Sequence, residues 1–175
     1  MNKDEIINRV NEVIESSKIQ NYPVDVIGIA HNNGFRVYEQ YLPQKVSGMI
    51  MVDKEKPIDN FGSNKVIVIN KYDAAMRRRF TIAHELAHYF LQDCDSIKLY
   101  AHRDEGKSSS AESDANFFAS NLLMPEKLLN NAINAAKDRL YGILPDSILE
   151  IIISDIFQVS LSAARIRLLQ LKIIS

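Results

Sequence analysis

At 175 residues the chain has room for one domain, or for one domain with a small appendage. Apolar residues make up 46% and charged residues 25%, enough for a packed core and too orderly a balance for wholesale disorder. A net charge of −1 offers no broad attraction to nucleic acid or an anionic membrane, and a single cysteine, Cys94, excludes an intrachain disulfide and fits a reducing cytoplasm.

Ile6, Ile7, Val10, Val13 and Ile14 recur at helical spacing among charges, so residues 4–18 predict an amphipathic helix, not a secretory leader. Pro23 is expected to open a second, short helix that stops at Asn32-Asn33-Gly34. Extended chain follows at 35–41, 47–52 and 65–70. The last two segments predict neighbouring strands, joined by a polar connection too long for a tight turn. From Asp73 the pattern turns helical, and 73–92 predict one long helix with Ile82, Leu86, Tyr89 and Phe90 for its buried side. Residues 93–110, with Asp93, Asp95, Gly106 and three consecutive serines, predict a mobile loop or lid. Helices are expected at 111–122, from Pro125, at 146–157 and at 161–171. The longest apolar run near the end, Ile148 to Ile153, is broken by Glu150 and too short to span a bilayer. The fold class expected is α+β: a small sheet of about three strands covered by helices.

Chemistry concentrates in the long helix. His84-Glu85-Leu86-Ala87-His88 is an HExxH string. Residues four apart share a helix face, so two imidazoles can reach one metal ion, and such nitrogen donors suit zinc. Glu85, beside that face, can take a proton from water and pass it to a leaving amine. A catalytic zinc needs a third protein ligand and an open position. Cys94 lies at the spacing of an extended HExxHxxGxxH motif, but Leu91 stands where that motif needs glycine, and a thiolate would hinder an open site. His102 is a lone loop histidine. Glu112 and Asp114 open the helix at 111–122. There Glu112, Asn116 and Ala119 share one face, while Phe117, Leu122 and Leu123 can face the core. Glu112 is the preferred third ligand and Asp114 the runner-up.

Two longer strings extend the pattern. They are Arg79-Phe80-Thr81-Ile82-Ala83-His84-Glu85-Leu86-Ala87-His88 and Glu112-Ser113-Asp114-Ala115-Asn116-Phe117-Phe118-Ala119, the latter followed by Leu122-Leu123-Met124-Pro125. Together they resemble the ImmA/IrrE family of metallopeptidases, closely over residues 45–128 and more loosely elsewhere. The resemblance implies a zincin-like helix with one zinc ion per chain on His84, His88 and Glu112, and Glu85 as general base. It also implies a substrate: a helix-turn-helix repressor, cleaved to relieve repression on a mobile element, in a phage or under stress.

Residues 1–136 are therefore expected to form a zinc metallopeptidase domain, and 137–175 a helical extension packed on it as one structural unit. The tail around Ile156 to Leu169 resembles a helix-turn-helix. Segment 137–175 carries five basic residues (Lys137, Arg139, Arg165, Arg167, Lys172) against four acidic ones (Asp138, Asp146, Glu150, Asp155), too weak an excess to expect direct DNA binding. Its apolar positions Ile152, Ile156, Phe157, Leu161, Ile166 and Leu169 are expected to be covered. Arg77-Arg78-Arg79 could grip an acidic substrate, although such runs more often make structural ion pairs. Tyr72, His102 and one of these arginines are unranked candidates for stabilising an oxyanion. If 65–70 is a sheet edge, it could pair with an extended substrate. The rival to a cytoplasmic endopeptidase is a non-proteolytic, metal-containing anti-repressor or DNA-binding module.

Overall fold

The first helix, α1 (Lys3–Ser16), begins in a capping box: Asn2 accepts from the Asp4 backbone N–H, and Glu5 accepts from the Asn2 N–H at 3.1 Å. Ile6, Val10 and Val13 form its buried stripe. The second helix, α2 (Val26–Asn32), starts later than the sequence predicts. Asp25 caps it, accepting from the Gly28 N–H at 2.9 Å, and Pro23 stays outside. A carboxylate satisfies an end N–H, which a proline ring cannot do. Gly34 then turns the chain at a φ of +82°, a conformation that favours glycine. The computed structural model describes residues 1–91, 100–103, 110–139 and 144–175, the backbone alone at 100–103.

Four strands, β1 (Arg36–Gln40), β2 (Val46–Val52), β3 (Lys65–Asn70) and β4 (Tyr100–Arg103), form a mixed sheet in the order β1-β3-β2-β4. The three expected strands are its body, and 47–52 and 65–70 pair antiparallel as predicted. Two expectations change. A short strand, β4, falls inside the stretch read as a loop, and Ser110 already belongs to the next helix; 93–99 and 104–109 lie outside the described residues. Segment 65–70 is also no edge: β3 pairs in parallel with β1 on one side and antiparallel with β2 on the other. The physical reason is legible in its composition. Val66, Ile67, Val68 and Ile69 are buried without a break, because Ile67 and Ile69 face the main core and Val66 and Val68 a second one. A strand covered on both faces has no polar side to show. The connection 53–64 supplies that second cover, bringing Ile58 and Phe61 against Met51, Val66 and Val68.

Over the other face lies α3 (Ala75–Leu91), followed by α4 (Ser110–Leu123), α5 (Glu126–Arg139), α6 (Asp146–Phe157) and α7 (Leu161–Gln170). α3 packs on β2 and β3 and along α4. It is therefore buried on every side at mid-length: Thr81 through His88 are all buried, whereas Tyr89 and Phe90 are only half-buried. On α4 it is Phe118 that is fully buried; Phe117, expected inward, is half-buried. Among the described residues no single helix is long and apolar enough to cross a membrane.

Close approach of α3 to the sheet depends on Gly48. A Cβ there would stand 2.4 Å from Thr81 Cγ2 and 3.0 Å from the Val68 carbonyl oxygen. Neither neighbour is the tip of a long, adaptable side chain. Gly48→Ala should therefore cost about 1–3 kcal/mol of stability by overpacking. Thr81→Ser removes the opposing methyl and should recover part of it, measured by urea unfolding of the single and double variants. Additive losses would show that the two residues do not meet.

The last two helices meet at 113°. Gln158 ends α6 in a left-handed conformation, and Ser160 caps α7 by accepting from the Ala163 N–H. Leu149, Ile153, Phe157, Ala164 and Leu168 belong to the same core as Ile6, Leu86 and Leu122. Phe157 lies 5.0 Å, ring to ring, from Tyr22. Arg167 is buried and donates from Nε to the Met124 carbonyl at 3.2 Å; burial pushes its guanidinium below the ordinary value, against the charge of Glu126. Of the apolar positions expected to be covered, Phe157 is buried and Ile152 and Ile156 are half-buried. Leu161, Ile166 and Leu169 are exposed instead, by 49, 53 and 40%.

Candidate metal centre

Three side chains from two helices converge. His84 and His88 stand one turn apart on α3, and Glu112 enters from the first turn of α4. Among the described residues this is the group whose donor atoms could hold a metal ion, all within 4.8 Å of one another. His84 Nε2 lies 3.1 Å from His88 Nε2. Glu112 places one oxygen 3.3 Å from His84 Nε2 and the other 3.6 Å from His88 Nε2. Donors held at about 2.0–2.2 Å from one ion with tetrahedral angles stand about 3.3–3.6 Å apart. Both spacings to Glu112 fall in that range and the His–His spacing is 0.2 Å short of it, so with two nitrogens and a carboxylate as donors the group fits a small divalent cation.

Small residues let the helices close this far. Ala83 and Ala87 of α3 and Ala115 and Ala119 of α4 are buried, and Ala87, Ala111 and Ala115 line a small cavity beside His88. Larger side chains at those positions would hold α4 away and withdraw Glu112.

Asn116 completes the arrangement. Its Oδ1 lies 2.9 Å from His84 Nδ1. A carbonyl oxygen there accepts a hydrogen bond from Nδ1–H, which leaves the Nε2 lone pair for a metal. The sequence reading put Asn116 on the Glu112 face without giving it this role. The available signal was its spacing, one helical turn after Glu112.

Glu85 is fully buried. A Cβ at Gly48 would lie 3.5 Å from its Oε1, so the carboxylate approaches β2 where that strand has no side chain. Burial holds the carboxyl well above the usual carboxylate range, and the negative charge of Glu112 adds to this. A cation held by the three ligands would oppose both effects.

The other candidates fall elsewhere. Asp114 binds the N-terminal ammonium at 2.8 Å. Cys94 and the side chain of His102 lie outside the described residues. Tyr72 is 76% exposed and packs against Tyr41. Each residue of the arginine run bonds the protein itself: Arg77 donates to Ser47, Arg78 to Glu39 at 2.9 Å, and Arg79 to the Val24 carbonyl.

Comparison with known proteins agrees with this architecture. No curated protein matches the chain. A solved structure of a Mycobacterium tuberculosis transcriptional regulator is similar at a TM-score of 0.52 and 15% identity, over 92% of this chain and 45% of that one. The likeness is one of fold, and the chain spans less than half the length of that regulator. Residues 34–169, which include all of the motif residues, match the profile described as Peptidase_M78, IrrE N-terminal-like domain. With that match over most of its length, the chain belongs to the ImmA/IrrE family of peptidases.

Proposed function

We propose that this chain is a zinc-dependent endopeptidase that cleaves a helix-turn-helix repressor and so relieves repression. The observation that carries the proposal is the convergence of His84, His88 and Glu112 within 4.8 Å, on a helix that also carries the buried Glu85. Family membership supports peptide-bond hydrolysis as the reaction. His84, His88 and Glu112 would hold the ion, with Asn116 orienting His84. Zinc, when bound, supplies Lewis-acid polarisation of a carbonyl and of water. Glu85 acts as general base, taking a proton from water and delivering it to the leaving amine. The last two helices act as an integral part of this unit. With Arg167 turned inward, α7 exposes only Arg165 as a cation, which supports a docking or structural role over DNA reading.

Incubation of the zinc-loaded protein with the repressor encoded beside its gene tests the reading. Discrete repressor fragments are expected, with casein left intact. Casein degraded as readily as the repressor would overturn the narrow substrate.

Metal binding gives an independent expectation. Purification without chelators should leave about one zinc per chain, and His84→Ala or His88→Ala should release it. Glu112→Gln should weaken zinc strongly and Asp114→Asn little. Asn116→Ala should weaken it about 10–100-fold through loss of orientation. Competition against a zinc-sensitive dye reads all five variants. Zinc loosened by Asp114→Asn alone would transfer the third ligand to that residue.

A further inference from the structure

Between α3, α4 and α7 the structure opens a cleft of about 750 Å³. That volume suits a small ligand or a few side chains. Its apolar walls are Met76 and Phe80 from α3, Phe117 from α4, and Val159, Ala163 and Ile166 from the last turn and helix. Ile166 is 53% exposed, and Phe80 and Phe117 are half-buried. The cleft adjoins the metal centre through one residue. Asn116 lines it, and the same side chain meets His84 Nδ1 at 2.9 Å. A chain whose scissile bond lay at the three ligands would pass the cleft within the reach of one side chain.

Charge narrows the occupant. The lining holds two cations, Lys3 and Arg77, and one carboxylate, Asp114; the N-terminal ammonium meets Asp114 at 2.8 Å and Asp73 meets Arg77 at 3.4 Å, which leaves a small cationic excess at Lys3. A cationic segment is disfavoured there, and an apolar one, neutral or flanked by an acid, is favoured. Ser113, Ser120 and Ser162 add hydroxyls that can bond a peptide backbone.

We infer that this cleft is the subsite for apolar side chains of the substrate beside the scissile bond, with Ile166 as its specificity-determining wall. The inference rests on the endopeptidase reading above and gives the last helix a part in substrate choice.

Binding is best read apart from cleavage. The full-length Glu85→Gln chain, loaded with zinc, is titrated with two capped pentapeptides, Ala-Leu-Leu-Phe-Ala and Ala-Gln-Gln-Ser-Ala, while methyl resonances are followed by NMR. The apolar peptide should shift the methyls of Met76, Ala163 and Ile166, and the polar one should bind about tenfold more weakly. Ile166→Glu, at an exposed position, and Ser162→Trp, which fills the cleft, should each weaken the apolar peptide about tenfold. Ile151→Glu, on the exposed side of α6 outside the cleft, should leave it unchanged. No binding, shifts centred on Ile151, or undiminished binding by both cleft variants would overturn the inference. Repressor cleavage by wild type that the cleft variants leave intact would sink the subsite alone. Peptide seated in the cleft of a zinc-loaded wild type that cuts nothing would sink the endopeptidase reading alone.

Discussion

Glu85→Gln should keep zinc and repressor binding and lose cleavage by about a hundred- to ten-thousand-fold, the range in which general bases contribute. The substitution is nearly isosteric at a fully buried position, so it leaves the helix packing and the three ligands in place. It removes the group that accepts the proton from water and returns it to the leaving amine. The amide cannot take that proton at any working pH. Two measurements separate the possibilities: zinc content by metal analysis, and capture of the repressor on immobilised variant followed by digestion with wild type. Captured repressor cut only by wild type is the expected result. A variant that cleaves at the wild-type rate would remove Glu85 from the reaction. Repressor captured yet never cut by zinc-loaded wild type would make the protein a sequestering anti-repressor.

Deletion of residues 146–175 should abolish the fold. The lost segment buries Leu149, Ile153, Phe157, Val159, Ala164, Leu168 and Ile174 in the common core. Counting only the four largest fully covered side chains among these, at about 1.5–3 kcal/mol each, the loss is about 6–12 kcal/mol. That is as large as the whole stability of an ordinary domain, about 5–15 kcal/mol. The cut also opens the surface against which these residues pack, and it removes the Arg167 bond to the Met124 carbonyl beside the end of α4. Aggregation, or a broad and non-cooperative thermal transition by circular dichroism, is the expected outcome. A soluble truncated chain with an unchanged midpoint would show instead that 1–145 folds by itself and that the last helices are an appendage.

Local pattern was enough for much of this protein. The HExxH string on a helical stretch, the Glu112 face of the next helix and the pairing of 47–52 with 65–70 are consequences of spacing along one chain, and spacing is what a sequence displays. The peptidase family was legible for the same reason, through two strings of residues flanking one site. What the sequence did not decide depended on who packs against whom. Whether Lys65–Asn70 lay at an edge or inside the sheet turned on β1 arriving in parallel on its far side, a contact between residues about thirty apart. The choice of Phe118 over Phe117, and of Leu168 over Ile166, for the core was set by which faces of α4 and α7 turn toward the rest of the core. Residue type leaves that choice open, because both residues of each pair are apolar and only packing decides which face turns inward. Asn116 and Gly48 show the same division. Their types and positions were on the page, but the 2.9 Å bond to His84 and the contact with Thr81 exist only once α4 and β2 close on the buried α3. The sequence by itself determined the donors and their helices; tertiary packing determined that they meet, because only the burial of α3 from every side brings the second helix and the strand within reach.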